Sequence, residues 1–333
     1  MARWRALTTV VVACALAAVL VPSASSLAVP VLIPSPASLA VPALDRDDVS
    51  LPALMTVPLD GRDLKVRREL SRTPQYTRYA VSYRGGGQLI TGIMNVPRGR
   101  GPFPVVVLAH GYIDPATYWS GQGFRREQDA LARSGYVALH VDYRNHAGSS
   151  DDPDNDLTMR LGYAEDVLNA AVAVRSSDLP ALDGERIALL GRSMGGSVAF
   201  NALVARPGVF DAAIVYASTS TNAVDNFNRW QREDDRLRQS IFRAHGSPSA
   251  NPAFWRGISA VNYVDRITEP VLMFHGTRDE SCPIGWARTT RDALVSAGVD
   301  ARLVEYPGAR HYMYGEWADS MRRSLAFLER HLA

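Results

Sequence analysis

Apolar and polar positions change period repeatedly along the chain from about residue 76 to its end. Residues 76–83 and 88–96 alternate polar with apolar side chains, and RGGG at 84–87 between them predicts a β-hairpin with a glycine turn. Residues 104–109 (PVVVLA) form a continuous apolar run, which is typical of a strand buried on both faces. Further strands are predicted at 136–143, 186–190, 212–216, 271–275 and 302–306.

Segments with a helical period separate these strands. They predict helices at 122–134, 158–176, 194–204 and 285–297, and a terminal helix from about residue 316. Strands that alternate with helices indicate an α/β fold with a mostly parallel central sheet and helices on both faces. Active sites of such sheets lie at the carboxyl ends of the strands, so the loops that follow the strands are the places to look for chemistry.

The N-terminus has the pattern of a secretory signal peptide, which we predict at 1–28. Arg3 and Arg5 precede an uncharged run at 6–21, and small residues follow it, with cleavage expected after Ala24 or Ala28. The run is shorter than the roughly 20 residues of a membrane-spanning helix. We therefore expect a secreted protein with no stable membrane association after cleavage.

The remaining chain divides into a leader and one domain. Residues 29–58 are rich in Pro, Ala, Ser and Val without a helical period, which predicts a disordered leader. No second linker follows, so we predict one catalytic domain at 59–333, in a chain of 333 residues with 47% hydrophobic content. Within it, residues 220–266 form the main insertion between strands, and we expect a small helical cap there.

Charge and cysteine content exclude some classes of function. The net charge is +2 and no Lys/Arg-rich run occurs, so nucleic acid is not an expected partner. Cys14 would leave with the signal peptide, and Cys282 alone cannot form an internal disulfide.

Three acidic residues resemble the start of a calcium loop. They alternate at Asp152, Asp154 and Asp156. The sixth loop position is Leu157 instead of glycine, and no glutamate stands at the twelfth, so a solvated loop is favoured. Whether these residues bind a cation stays open, and we expect no catalytic metal.

The run GRSMGGS at 191–197 predicts a nucleophile. Ser193 follows a strand and precedes a helix, where Gly191 and Gly195 leave room for a sharp turn and Gly196 allows the helix to pack closely. A serine that caps a helix is the simpler alternative. The strand–turn–helix context favours a hydroxyl exposed above the sheet, at a helix N-terminus that stabilises developing negative charge.

A serine hydroxyl needs a histidine base and a carboxylate that orients the base. In the chain order of such triads the base comes last, which favours His311 in the loop after the final predicted strand. The acid is expected after the penultimate strand, where Asp279 is favoured and Glu280 is its competitor. The oxyanion hole needs two backbone N–H groups, and we expect those of Met194 and Tyr112.

Aromatic residues are candidates for a substrate pocket. Trp230 and Trp255 lie in the cap insertion, and Tyr112 and Trp119 lie in the loop after residues 104–109. The cap aromatics either line the pocket or pack the cap against the body, and both interpretations stay open.

Four motifs occur in an order that resembles a known superfamily. They are VVVLAHGY at 105–112, GRSMGGS at 191–197, PVLMFHGTRDESCP at 270–283 and YPGARHYM at 306–313. The chain resembles the α/β-hydrolase superfamily and, within it, the catalytic domain of the prolyl oligopeptidase-like group. The resemblance implies an α/β-hydrolase fold with Ser193 as nucleophile, Asp279 as orienting acid and His311 as base. Only about 60 residues precede the predicted catalytic domain, so we do not expect the β-propeller of the peptidases in that group.

These features together predict a secreted serine hydrolase that cleaves carboxylic esters through an acyl-enzyme and needs no cofactor. The alternative is a serine peptidase or aminoacyl hydrolase that uses the same triad on short peptides. A non-catalytic binding protein on this fold is the third interpretation. The expected partner is a small ester or a short peptide, and the oligomeric state is left open.

Overall fold

The computed structural model describes residues 48–333. The predicted signal peptide and the first part of the predicted leader lie outside these residues. The strands are β1 (Arg62–Arg72), β2 (Tyr76–Gly85), β3 (Gln88–Pro97), β4 (Phe103–Ala109), β5 (Val137–Val141), β6 (Leu182–Arg192), β7 (Ala212–Tyr216), β8 (Val271–Gly276) and β9 (Ala301–Tyr306). The α-helices are α1 (Leu51–Thr56), α2 (Arg125–Arg133), α3 (Gly162–Arg175), α4 (Met194–Ala205), α5 (Ala223–Asn226), α6 (Asp235–His245), α7 (Pro252–Gly257), α8 (Ile284–Ser296) and α9 (Trp317–His331).

All the strands of the described chain form one sheet, in the order β1-β2-β3-β5-β4-β6-β7-β8-β9. The pairs from β1 to β3 and the pair of β3 with β5 are antiparallel. The pairs from β5 through β9 are parallel. Apolar side chains on the two sides of this sheet belong to two separate buried clusters, as expected for a sheet covered on both faces. The prediction of a mostly parallel α/β-hydrolase sheet is confirmed.

Strand β1 escaped the sequence prediction because it lies at the edge of the sheet. Its sequence, RDLKVRRELSR, is mostly charged, and Leu64 is its one buried residue. An edge strand needs no apolar face, and charged side chains there discourage pairing with other chains. Strand β1 therefore lacks the alternation of polar and apolar residues that predicted β2 and β3.

The predicted disordered leader is wrong over its last residues. Leu51–Thr56 forms a helix that packs against α4, with Leu51 and Leu54 fully buried. The Ser50 hydroxyl caps this helix by accepting a hydrogen bond from the Ala53 N–H at 3.1 Å. Burial of these two leucines holds the segment against the rest of the domain, although no helical period in the local sequence predicts it.

The insertion between β7 and β8 is helical, as expected for a cap. It contains α5 to α7, one turn of π-helix at Phe227–Gln231 and a 3₁₀ segment at Ala260–Arg266. Within residues 48–333, no helix combines the length and the apolar character that a membrane crossing requires.

Candidate active site

Ser193 lies at the sharp turn between β6 and α4. Its backbone has φ 56° and ψ −122°, a region that non-glycine residues rarely occupy. Its own N–H donates to the Tyr216 carbonyl at 3.0 Å, and its carbonyl accepts from the Gly196 and Thr219 N–H groups at 2.8 and 3.2 Å. These three hydrogen bonds hold the strained residue in place. Strain that neighbours enforce in this way is a feature of functional sites.

The glycines around Ser193 are required by close backbone approaches. A Cβ at Gly195 would collide with the carbonyl oxygens of Ala109 and His110, and one at Gly191 would collide with the carbonyl of Gly195. Gly196 lies against Ser218 in the same way. The predicted reason for these glycines is confirmed: larger residues would not permit the turn.

His311 and Asp279 are joined directly. The Nδ1–H of His311 donates to Oδ2 of Asp279 at 2.8 Å, although the two residues follow different strands. Because an ionised carboxylate only accepts hydrogen bonds, Nδ1 carries the proton and Nε2 keeps a free lone pair. Glu280 accepts only the backbone N–H of His311, at 3.4 Å, and pairs with Arg310. Of the two predicted candidates, Asp279 is therefore the one that orients the imidazole.

The Asp279 carboxylate is kept ionised by its surroundings. Its Oδ1 accepts the N–H groups of Ser281 and Cys282, both at 2.8 Å. Burial acts to raise the pKa of Asp279, but hydrogen bonds from His275, His311 and the Cys282 N–H outweigh it and hold that pKa well below its usual range. The carboxylate is thus ionised near neutral pH and accepts the His311 hydrogen bond.

The two predicted oxyanion donors lie on either side of Ser193. Met194 is the first residue of α4, and Tyr112 follows Gly111, whose Cα lies so close to Ser193 that an added Cβ would be 3.1 Å from the serine Cβ. Within residues 48–333, neither the Met194 nor the Tyr112 amide donates a hydrogen bond to another protein group. Both N–H groups are thus free to bind an oxygen in front of Ser193.

A cavity of about 710 Å³ opens over Ser193. The predicted site residues that line it are Tyr112, Ser193, Met194, Trp230 and His311. The cap insertion supplies one wall of this cavity, which includes the exposed Trp230 ring.

Two of the predicted substrate-binding residues do not line this cavity. Trp255 is 2% exposed and packs edge-on against Phe227 at 4.9 Å, inside the cap insertion. Its indole N–H donates to the Gly246 carbonyl at 3.1 Å. The Trp119 ring is exposed outside this cavity, and Cζ of Arg125 lies 5.7 Å from the ring centroid. The prediction was wrong for both because aromatic type alone does not distinguish packing from substrate contact.

Cys282 was not predicted as a site residue, yet it lies against the catalytic candidates. Its thiol is fully buried, and its Sγ lies within 4.8 Å of side-chain atoms of Asp279 and His311. Burial raises the pKa of this thiol to about 12, and the Asp279 charge adds to the effect. The thiol is therefore neutral near pH 7.

Among the described residues, one cluster brings three potential metal ligands together. It consists of Asp279, Cys282 and His311, with ligand atoms within 4.8 Å of one another.

The acidic residues that resembled the start of a calcium loop have protein partners. Asp152 accepts a hydrogen bond from Arg144 at 3.2 Å, and Asp156 pairs with Arg160 at 2.7 Å.

Comparison with known proteins places the chain in a family. The model of the prolyl oligopeptidase family matches residues 122–333. An uncharacterized peptidase of Bacillus subtilis, YuxL, is 26% identical over 264 residues, which cover 75% of this chain and 37% of that protein. The acylamino-acid-releasing enzyme of Arabidopsis thaliana is 26% identical over 217 residues, which cover 62% of this chain and 27% of that protein. The chain thus spans about a third of the length of these relatives.

A solved structure has the same fold. Acetyl xylan esterase 1 from Thermoanaerobacterium sp. JW/SL YS485 superimposes with a TM-score of 0.60 at 17% identity, over 86% of this chain and 95% of that one. Esterases and peptidases thus occur among proteins similar to this chain. With the family model covering residues 122–333, from before α2 to the C-terminus, the chain belongs to the prolyl oligopeptidase family and has an α/β-hydrolase fold.

Proposed function

We propose that this chain is a serine hydrolase that cleaves carboxylic esters through an acyl-enzyme on Ser193. The observation that carries the proposal is the convergence of three groups. Ser193 is held at φ 56° on a strained turn, and it shares its cavity with the His311 imidazole. That imidazole is oriented at 2.8 Å by the ionised Asp279 carboxylate. A strained serine beside an oriented base is the arrangement that acyl transfer requires.

The first half of the reaction forms the acyl-enzyme. Nε2 of His311 takes the proton of the Ser193 hydroxyl as Oγ attacks the ester carbonyl. Negative charge develops on the carbonyl oxygen, where the free N–H groups of Met194 and Tyr112 and the N-terminus of α4 stabilise it. The protonated imidazole, stabilised by Asp279, then gives its proton to the leaving alcohol.

The second half repeats these steps with water. His311 takes a proton from the water that attacks the acyl-enzyme carbonyl, and the same two amides hold the second oxyanion. Collapse of that intermediate breaks the bond to Ser193 Oγ, which recovers its proton from His311, and the carboxylic acid leaves.

The acidic side chains of the cavity favour an uncharged substrate. Of the charged cap residues, Glu233 and Arg243 do not line the cavity, whereas Arg229 does and donates to the Glu280 carbonyl. The acidic residues that do line it have protein partners. Asp156 pairs with Arg160, Asp234 accepts the Leu237 N–H, and Glu280 pairs with Arg310. An uncharged ester leaves these pairs intact.

Hydrolysis of aminoacyl or short peptide amides is the second candidate function. Similarity to the acylamino-acid-releasing enzyme of Arabidopsis thaliana favours it. The same triad performs both reactions, since only the leaving group changes from an alcohol to an amine.

The test is a comparison of rates on the purified protein, with Ser193→Ala as the blank. The substrates are p-nitrophenyl esters from acetate to decanoate and a panel of aminoacyl and dipeptidyl p-nitroanilides. We expect ester turnover to dominate and to vanish in the blank. Anilide turnover of comparable efficiency would make the protein a peptidase, and turnover that persists in Ser193→Ala would overturn the catalytic assignment.

Export is a separate proposal, based on the N-terminal sequence pattern. Expression of the full chain in a secreting bacterial host tests it. We expect the exported protein to begin after Ala24 or Ala28 by N-terminal sequencing. Retention of residues 1–28 on a protein that stays in the cell would contradict it.

A further inference from the structure

The guanidinium of Arg160 lies between the two residues that supply the proposed oxyanion amides. Its Cζ is 5.0 Å from the centroid of the Tyr112 ring, and its Nη1 is 3.8 Å from Sδ of Met194. Tyr112 lies in the loop after β4, and Met194 is the first residue of α4, after β6. Arg160 lines the cavity together with Ser193. One side chain thus connects both sides of the oxyanion hole.

The backbone around Arg160 is strained in a way that aims this side chain. Met159 and Arg160 have φ 52° and 59°, two successive non-glycine residues in the left-handed region. The Arg160 N–H donates to the Asn155 carbonyl at 2.8 Å, and the Arg160 carbonyl accepts the Tyr163 N–H at 3.1 Å. Such strain persists only where the surroundings enforce it, and it concentrates at functional positions.

Asp156 orients the guanidinium and neutralises it. Nε of Arg160 donates to Oδ1 of Asp156 at 2.7 Å, which leaves the Nη groups directed towards Tyr112 and Met194. Because a carboxylate already balances its charge, Arg160 is better suited to hold its neighbours in place than to attract an anionic substrate.

Tyr112 depends on this contact. Its side chain is 59% exposed, and among residues 48–333 the Arg160 guanidinium is the one hydrogen-bonding or ring partner of the Tyr112 ring. A cation over a tyrosine ring is attracted to its face, so the contact restrains the ring and the backbone that carries the Tyr112 N–H. Loss of the contact would let this amide move away from the position that an oxyanion occupies.

We propose that Arg160 is a positioning residue of the oxyanion hole, which holds the amides of Tyr112 and Met194 in register with Ser193. The inference rests on the proposed function, because it needs an oxyanion to form in front of Ser193. It predicts that Arg160 acts on the transition state and leaves binding of the ground-state substrate nearly unchanged.

The experiment compares Arg160→Met, Arg160→Lys and Arg126→Met with the wild type on p-nitrophenyl acetate. For Arg160→Met we expect kcat to fall about tenfold and KM to change less than about twofold, because only a transition-state interaction is weakened. Arg160→Lys keeps a cation over Tyr112 and should recover most of kcat. Arg126→Met is the matched control, because that arginine also lies over aromatic rings, Tyr314 at 5.4 Å and Trp317 at 4.7 Å, but outside the cavity.

A second readout uses phenylboronic acid, which forms a tetrahedral adduct with an active serine. Its inhibition constant should rise in Arg160→Met by the factor by which kcat/KM falls. A rise in KM with kcat intact would overturn the inference, as would a loss of activity that Arg160→Lys does not recover. If Ser193→Ala is inactive while Arg160→Met keeps the wild-type kcat, only the role of Arg160 fails. If Ser193→Ala remains active, the proposed function fails.

Discussion

Nε2 of His275 lies 3.3 Å from Oδ2 of Asp279, the same oxygen that accepts the hydrogen bond from His311. It also lies 2.7 Å from the Cys282 carbonyl, which can only accept, so Nε2 of His275 carries a hydrogen. One N–H is thus shared between the carbonyl and the carboxylate. This buried histidine near the end of β8 helps to hold the carboxylate oxygen that binds His311, and the sequence analysis gave it no role.

Replacement of Asp279 by asparagine should reduce kcat by a factor of about 10³ to 10⁴ on esters, because the amide no longer holds His311 in the tautomer with Nε2 free. Glu280→Gln is the matched control next to it, and we expect a loss of less than about tenfold, since Glu280 contacts the backbone N–H of His311 and not its imidazole. Steady-state kinetics on p-nitrophenyl acetate measure both. Equal losses in the two variants would contradict the assignment of Asp279.

His140 should make the folded state less stable in mild acid. Burial lowers its pKa from 6.5 to about 4, although the Asp142 charge acts in the opposite direction. Between these two values the unfolded chain binds a proton that the folded chain does not, so stability falls as the pH falls from 6.5 towards 4. At pH 5 the loss of unfolding free energy caused by His140 is about 2 kcal/mol. The unfolding free energy of His140→Leu should therefore fall by about 2 kcal/mol less than that of the wild type between pH 7.5 and pH 5.

Urea denaturation of the wild type and of His140→Leu at the two pH values gives that difference. His140 stacks on His110 at 5.4 Å, and burial also lowers the pKa of His110, so some acid sensitivity should remain in the variant. An unchanged pH dependence in His140→Leu would show that His140 is not a source of it.

Cys282 should resist alkylation in the folded protein. With its pKa raised to about 12 by burial, the thiolate fraction at pH 8 is on the order of 10⁻⁴, and the thiol is fully enclosed. Intact-mass measurement after iodoacetamide treatment should show little adduct in buffer and one adduct on Cys282 in denaturant. Cys282→Ala supplies the blank. Rapid modification of the folded protein would contradict the buried position.

Two tryptophans of the cap should respond in opposite ways to replacement by alanine. Trp255→Ala removes a buried ring and should cost about 3–5 kcal/mol of unfolding free energy. Trp230 is 43% exposed and lines the cavity, so Trp230→Ala should cost less than about 1 kcal/mol and change KM by a few-fold. Denaturation and ester kinetics on both variants separate the two effects. A KM effect of Trp255→Ala without loss of stability would reverse this assignment.

Most of the parallel half of the sheet was predictable because its inner strands are buried on both faces, as in β5, β7 and β8. Residues 212–216 were predicted as a strand, and β7 spans Ala212–Tyr216. Continuous apolar runs between polar loops leave little choice of boundary there. Strand β1 and helix α1 were missed for the opposite reason. Strand β1 pairs with β2, the next strand of the chain, but its mostly charged residues carry no strand period. Helix α1 depends on contacts with α4, far away in the sequence.

The candidate site divides in the same way. Ser193, Asp279 and His311 could be proposed from the sequence because glycine spacing and the ends of strands distinguish them there. Nothing in the sequence distinguishes Arg160 in this way. The direction of its side chain depends on positive φ values at Met159 and Arg160, and neither residue type requires a positive φ. The assignment of Trp119 and Trp255 to the substrate pocket was wrong, because position in a loop or cap does not determine the direction of a side chain.

Covalent labelling with a fluorophosphonate tests the central claim most directly, since this reagent forms an ester with a serine only when a base activates it. Intact-mass and peptide mass spectrometry of the purified protein should show one adduct, on Ser193, formed rapidly in the wild type and at least about 10³ times more slowly in His311→Ala. An adduct on another residue, or equal labelling of wild type and His311→Ala, would contradict a Ser193 nucleophile activated by His311.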